Sequence, residues 1–583
     1  MKPDFSVKLL LYSALLFLLQ GCYIPGSQII SIRVRWPHDP EAIAPFQLPN
    51  QLAVDAANLL HSSLLQSDFS AGKIAPALAG ALPTAQLVGD SLTWLSYQIR
   101  QEASWDDGRP VLATDVAFTL KLMFCPGVPN ETSRLQYGFI QALIPDRTDP
   151  RRFVLECRGQ ASEYEQASGD FFILPEAALD PQGLLRRFSL AELQTRPVSA
   201  RPDSALAAVA RRYRAFAPGK LPGCGPYQLA AWEKDRYLTF RRKPTWWGNR
   251  LRPTPFVLQA RSPQLDFVII PEAATASLAL QRGDLDIFPQ VPAREFARLR
   301  SSPAAQATLA FHAVPSYDVV TAGFNTRRPA LTDALTRQAL SRCFDAAALL
   351  RATQLGAGLQ TAGIISPTDR ANYNDSLTPV PFDLRAAAAL LRRAGWQREN
   401  TGTAGGWTRA RPTGVPQALG IRLRYRANET MFATVALQFQ GAAAALGIPV
   451  TLLPTESGAF TAALHAGDFD MYVRTLRGNP FMFNFMPLLH SRGLGQGNTT
   501  GFSTAPSDRL IEAITAAKTP MQRSRLLRQF QALMQAEAPM VPLFFLPNRI
   551  AASRQLTGLH ATGLKPGFAA AAVERVATPT PAR

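Results

Sequence analysis

The sequence is poor in cysteine, histidine and acidic residues, and each shortage removes a class of function. Only 5 cysteines and 6 histidines occur in 583 residues. No two cysteines stand in CxxC spacing and no two histidines stand four apart, so zinc-site and thioredoxin-like motifs are missing. HExxH, GxSxG, a P-loop and a complete GxGxxG are missing too. The chain is therefore read as a binding protein rather than an enzyme, with no cofactor or metal. Asp and Glu number 43 against 61 Lys and Arg, a net charge of +18. The arginines are scattered singly or in pairs such as Arg241-Arg242 and Arg327-Arg328. That pattern lacks the basic stripe with interleaved aromatics of single-strand binders, so nucleic acid is not expected as a partner. Beyond the first 20 residues no apolar run approaches the ~20 residues that span a bilayer.

What is present begins at the N-terminus. Lys2 and Lys8 precede the apolar run Leu9–Leu19, which is too short to span a membrane but fits the core of a secretory signal peptide. The run ends in Leu19-Gln20-Gly21-Cys22, which resembles a bacterial lipobox. Residues 1–21 are expected to be removed. Cys22 is expected to carry lipid and anchor the chain in the cell envelope, on the periplasmic face of a membrane or at the cell surface. Of the other cysteines, Cys125 and Cys157 fall in one region, and a disulfide between them is left open. Cys224 and Cys343 are expected as small buried residues.

Further on, Trp105-Asp106-Asp107-Gly108-Arg109-Pro110-Val111 places a tight Asp-Gly turn before a helical pattern with Val116, Leu120, Met123 and Phe124 on one face. Thr114 is the expected N-cap. Gly223-Cys224-Gly225-Pro226-Tyr227, Trp246-Trp247-Gly248, Gly323-Phe324-Asn325-Thr326, Arg337-Gln338-Ala339-Leu340, Ala394-Gly395-Trp396, Asn498-Thr499-Thr500-Gly501-Phe502 and Ala538-Pro539-Met540-Val541-Pro542 follow in order. Together these runs resemble the signatures of family 5 extracellular solute-binding proteins, the peptide- and nickel-binding components of ABC importers. Independent chance matches would not keep this order over most of the chain. An internal echo needs no family: Leu280–Ile287 and Leu464–Met471 both read as helix end, glycine cap, acidic turn and strand.

The fold class expected is α/β: two lobes of the periplasmic-binding-protein type (type II-like), joined by two crossover strands, with a subdomain inserted in the N-terminal lobe. Lobe I is expected over 22–52, 175–323 and 479–575, the inserted subdomain over 53–174, lobe II over 324–478, and a disordered tail over 576–583. The resemblance implies a monomer that traps a solute between its lobes and hands it to an ABC permease. A sensing or interaction role on the same fold is the alternative.

For the ligand, the resemblance is informative where it breaks. Peptide-binding members carry an aspartate that captures the peptide's ammonium group. In this chain the segment reads Asp468-Phe469-Asp470-Met471-Tyr472-Val473-Arg474-Thr475-Leu476-Arg477-Gly478-Asn479, with Asn479 in the aspartate's place and two arginines before it. Two readings stand side by side. Either the cleft prefers an anionic or amine-blocked peptide-like solute, or the arginines face solvent and an acidic partner comes from elsewhere. The candidate ligand-binding residues are Tyr317, Asn325, Arg370, Tyr373, Tyr472, Arg474, Arg477 and Asn479.

Overall fold

The family-like runs are places where the backbone comes too close for side chains or where one group holds several elements. In the computed structural model, which describes residues 30–576 except 47, 49, 90, 130, 162, 197–202, 217–218, 399–405, 412–413, 479, 482 and 496, a Cβ on Gly225 would lie 2.6 Å from the Leu60 carbonyl carbon and 2.7 Å from His61 N. The indole nitrogens of Trp246 and Trp247 both donate to the Cys224 carbonyl, at 2.9 and 2.8 Å. The expected signal segment, Cys22, Asn479 and residues 577–583 lie outside the described residues.

The Asp-Gly turn forms as its sequence requires, with Gly108 at φ +83°. The helix after it runs Ala113–Met123, so Thr114 is inside it and Leu112 is the N-cap. Leucine has no capping oxygen. Instead the Asp115 carboxylate reaches back to Leu112 N (3.0 Å), and it also accepts from Glu176 N and Trp105 Nε1. This helix packs on a four-stranded antiparallel sheet built from Thr84–Val88, Leu92–Gln98, Ile140–Pro145 and Arg152–Arg158. The core of this inserted unit reaches past residue 174, taking in Leu185, Leu193, Leu206 and Tyr213. Cys125 and Cys157 are both buried in it, and Cys224 and Cys343 are buried as well. Burial pushes all four thiols up to about 12. No disulfide joins Cys125 to Cys157.

Both lobes share one 11-stranded sheet. Its main strands are β1 (Ser31–Trp36), β2 (Tyr227–Glu233), β3 (Tyr237–Arg242), β4 (Gln264–Ile269), β5 (Ile287–Pro289), β6 (Leu309–Phe324), β7 (Ile421–Arg426), β8 (Val450–Thr455), β9 (Met471–Arg477) and β10 (Met540–Ser553). Their order is β8-β7-β9-β6-β10-β5-β1-β4-β3-β2. The long strands β6 and β10 run antiparallel through both lobes, from Leu309 opposite Ser553 to Gly323 opposite Met540. They are the two crossover strands. Their register breaks between Pro315 and Val319, where Pro315 faces Pro547. Proline has no N–H to give the ladder, so this is where the ribbon can bend between lobes.

The second lobe buries Phe324, Leu340, Phe344, Trp396, Trp407, Phe432 and Phe439 against β7, β9 and β10. The echoed units are helices Ala273–Arg282 and Ser457–Ala466, each ending on a left-handed glycine, Gly283 (φ +80°) and Gly467 (φ +67°), before β5 and β9. Only glycine takes that conformation without strain. Past β9 the chain packs on itself before it joins β10. Phe483, Leu489, Phe502, Ile511, Leu527 and Phe530 pack with Ile365 and Met540 beside the second lobe, and the return runs along β10. The cause is hydrophobic: these residues need an apolar partner, and Ile365 with Met540 provides it.

Candidate functional site

The lobes meet at the bend in β6 and β10. Here β9 pairs with β6, Asp318 opposite Arg477 and Thr321 opposite Arg474. Strand alternation puts Met471 and Val473 in the second lobe's core, and Tyr472, Arg474 and Leu476 on the opposite face. From the first lobe comes α1 (Gln51–Leu60), capped by Asn50, whose side chain accepts from Ala53 N. Its apolar residues Leu52, Ala53, Ala56, Leu59 and Leu60 are buried, which fixes the direction in which Gln51 and Asp55 point.

Three of the expected residues gather at this junction. Tyr317 is half-buried at the bend; burial and the nearby Asp369 carboxylate raise its phenol pKa. Its carbonyl accepts from Gly478 N at 2.8 Å. Arg474 lies over the Tyr472 ring, 4.9 Å from its centre, and its buried Nε has no partner among the described residues. Arg477 crosses to the first lobe and donates from Nη1 to Gln51 Oε1 at 3.4 Å.

The others serve the framework. Asn325 is buried and donates to the Gly467 and Phe469 carbonyls, tying the chain after β6 to the turn before β9. Tyr472 is fully buried against Gly323, where a Cβ would lie 2.1 Å from the ring, and its hydroxyl meets that of Thr499 at 3.3 Å. The Tyr373 hydroxyl accepts from Ala362 N at 3.1 Å, closing its own loop. Arg370 is exposed, and its carbonyl accepts from Arg528.

A second contact between the lobes comes from the inserted unit. The buried Glu163 carboxylate accepts from Phe483 N (3.4 Å) and lies 3.9 Å from Arg523 Nη1. Burial raises its pKa, and Arg523 opposes the rise. At the hinge, Lys565 Nζ pairs with Asp318 Oδ2 at 2.7 Å.

Beneath α1 a cavity of about 580 Å³ opens between the first lobe's sheet and the inserted unit. Trp36, Phe46, Phe171, Phe172, Phe267 and Phe568 supply much of its wall, and Gln51, Asp55, Asp170 and Lys565 interrupt it. Gln51 Nε2 donates to Asp55 Oδ1 at 2.8 Å, and the Tyr137 hydroxyl donates to Asp170 Oδ1 at 2.6 Å. Burial pushes Asp170 up to about 6 and Asp55 up to about 7; Gln51, Arg477 and Lys565 hold Asp55 from rising further. Sequence reading missed both carboxylates. The one available signal was a lone acid in the otherwise uncharged run Gln51-Leu52-Ala53-Val54-Asp55-Ala56-Ala57-Asn58-Leu59-Leu60.

Comparison with known proteins agrees with this architecture. A solved structure of the oligopeptide-binding protein AppA from Bacillus subtilis, in complex with a nonapeptide, superposes with a TM-score of 0.74 at 18% identity, covering 94% of this chain and 99% of that one. The periplasmic EDTA-binding protein EppA gives 0.76 at 17% identity, covering 94% and 97%. At these identities the likeness shows the fold. Among sequence relatives, Heme-binding protein A of Haemophilus influenzae is 25% identical over 332 residues and the Dipeptide-binding protein of Escherichia coli 24% over 323. Those matches take in 55% and 54% of this chain, and each spans about half the relative's length, 54%. The Peptidoglycan-binding protein YepA of Agrobacterium fabrum is 24% identical over 542 residues, covering 84% of this chain and 80% of that protein. Residues 73–495 match the profile of bacterial extracellular solute-binding proteins, family 5 (middle), and the chain belongs to that family.

Proposed function

We propose that this protein is the substrate-binding lipoprotein of an ABC importer, which takes a peptide-like solute between its lobes and delivers it to a membrane permease. The observation that carries the reading is the hinged junction. Two crossover strands break register beside facing prolines, and Arg477 of the second lobe reaches across to Gln51 of the first. Such a hinge lets two rigid lobes close on a ligand and release it. Peptides recur among the ligands named for its relatives, beside haem, peptidoglycan and EDTA. The protein acts as a monomer at the cell envelope, held there by lipid on Cys22.

Mass spectrometry of solute released from the purified protein tests the binding step. That solute, added back at saturation, is expected to lower the radius of gyration in small-angle scattering and to raise the melting temperature by mass action. A solute that binds without compaction would sink the hinge. Loss of its uptake on deleting the gene, restored by the intact gene, tests delivery.

Anchoring has its own test. Acyl chains contribute ~0.8 kcal/mol per buried CH₂, so two or more chains hold a protein on a membrane. Cys22→Ser is expected to move the protein from the membrane fraction to the soluble fraction. Retention of the variant on the membrane at the wild-type level means that lipid on Cys22 is not the anchor.

A further inference from the structure

The cavity beneath α1 has the wrong electrostatics for an empty space in a protein core. Its wall is rich in aromatic side chains, yet two carboxylates open on it. Among the described residues neither Asp55 nor Asp170 has a cation within ion-pair distance. The two cations in the wall are engaged elsewhere: Lys565 with Asp318, and Arg35 with the carbonyls of Ile270 and Pro271. A carboxylate offers about four lone-pair sites. Each of these has one side-chain hydrogen bond, and from a neutral donor. An under-partnered carboxylate in an apolar wall is costly to folding. A ligand cation removes that cost.

We propose that this cavity seats the ammonium end of the solute, with an apolar group behind it, and that Asp170 is the counter-ion and Asp55 a second acceptor. Three points favour this ligand. The cavity opens toward the lobe junction, because Gln51 lies in its wall and also accepts from Arg477 of the second lobe. The aromatic lining suits an apolar group, and an ammonium brings three donors to oxygens with spare lone pairs. By the resemblance drawn from the sequence, Asn479 stands where peptide-binding family members carry the ammonium-capturing aspartate. Carboxylates on the first lobe supply the charge that an asparagine lacks. The solute's polarity then follows: ammonium in the first lobe, and a carboxylate or other anion beside Arg474, whose buried Nε has no partner among the described residues. This deepens the solute-binding reading and rests on it.

The groups that face these carboxylates set the pH response. Asp170 has the Tyr137 hydroxyl against it and Tyr97 nearby; Asp55 has Gln51, with Arg477 and Lys565 nearby. Burial raises the Tyr137 and Tyr97 phenols above their ordinary range, while Asp170 and Asp55 are pushed up to about 6 and about 7, so the carboxylates dominate the titration between about pH 5 and pH 8. Protonated, they attract no ammonium.

The test uses the full chain in detergent and two probes, phenethylamine and N-acetylphenethylamine, which share an aromatic body and differ in charge. Titration calorimetry at about pH 8 is expected to show the amine binding at least about tenfold more tightly, the ratio that a charge-assisted hydrogen bond commands. The preference is expected to shrink to about twofold or less in Asp170→Asn, and in the wild-type protein at about pH 5, where the carboxylates gain protons. Should Asp170→Asn not fold, the wild-type pH series decides alone. Equal affinity for the two probes at about pH 8, no binding of the amine, or a preference that survives at about pH 5 overturns the proposal. A solute found in the same protein by mass spectrometry would then leave the binding-protein reading standing and remove only this assignment.

Discussion

Arg337→Met is expected to destabilise the second lobe by about 4 kcal/mol, among the larger effects of a single substitution. Arg337 is 2% exposed and lies in α2 (Ala334–Ser341). Its guanidinium donates to four backbone carbonyls at once. Nε donates to the Glu537 and Ala538 carbonyls (3.0 and 3.3 Å), Nη1 to those of Leu331 and Thr332 (2.8 and 2.9 Å), and Nη2 to Glu537 O (2.6 Å). Two of these carbonyls close α3 (Pro520–Glu537), whose last C=O groups have no partner within the helix. Methionine keeps the apolar stem and leaves four carbonyls without their donor. A buried unsatisfied acceptor costs ~1–3 kcal/mol, part of which water and local relaxation return. Arg337→Lys is expected to lose about half as much, because one ammonium cannot span two pairs of carbonyls. Urea unfolding followed through the second-lobe tryptophans Trp396 and Trp407 measures it. A loss under ~1 kcal/mol for the methionine variant would mean that α2 and α3 are held by apolar packing alone.

That arginine was legible in the sequence, as part of Arg337-Gln338-Ala339-Leu340, and so were the other framework positions. Gly108, Gly225, Gly283, Gly323 and Gly467 are needed for a left-handed turn or a close approach, and residue type alone announces such needs. The helix cap was misread by two residues, because the Asp115 carboxylate reaches back to Leu112 N where Thr114 was the expected cap. The site was less legible. Tyr472 and Asn325 look like binding residues in a one-dimensional string, yet one is buried against a glycine and the other is tied to two carbonyls. Asp55 and Asp170 lie far apart in the chain and come to one cavity only when the inserted unit docks on the first lobe. A cavity is a place where elements fail to fill space, and no residue spacing encodes it. Where the chain returns to the first lobe is hard to read for a related reason. Residues 483–530 follow the strand that ends the echoed unit, but their apolar side chains find their partners in Ile365 and Met540.

Asp55→Asn is expected to stabilise the unliganded protein at about pH 8, by on the order of 2–4 kcal/mol, and to change little at about pH 4. The folded-state pKa of Asp55 is raised from 3.8 to about 7, chiefly because burial disfavours the charged form; Gln51, Arg477 and Lys565 oppose the rise without cancelling it. Between those two values the folded chain holds a proton that the unfolded chain has released. Stability therefore falls as pH rises through that window, and the full cost is present above about pH 7. The substituted asparagine side chain has almost the same shape, can still accept from Gln51 Nε2 through its oxygen, and has no charge to desolvate. Its benefit should grow across the window and level off above it. Thermal melts at about pH 4, 6 and 8 give the curve for both proteins. A variant less stable than wild type at about pH 8 would show that the charges of Arg477 and Lys565 outweigh burial, and that Asp55 works as an ordinary ion-pair partner. A carboxylate that weakens the empty protein, and whose cost a bound cation can remove, is what a binding site retains and a structural core sheds.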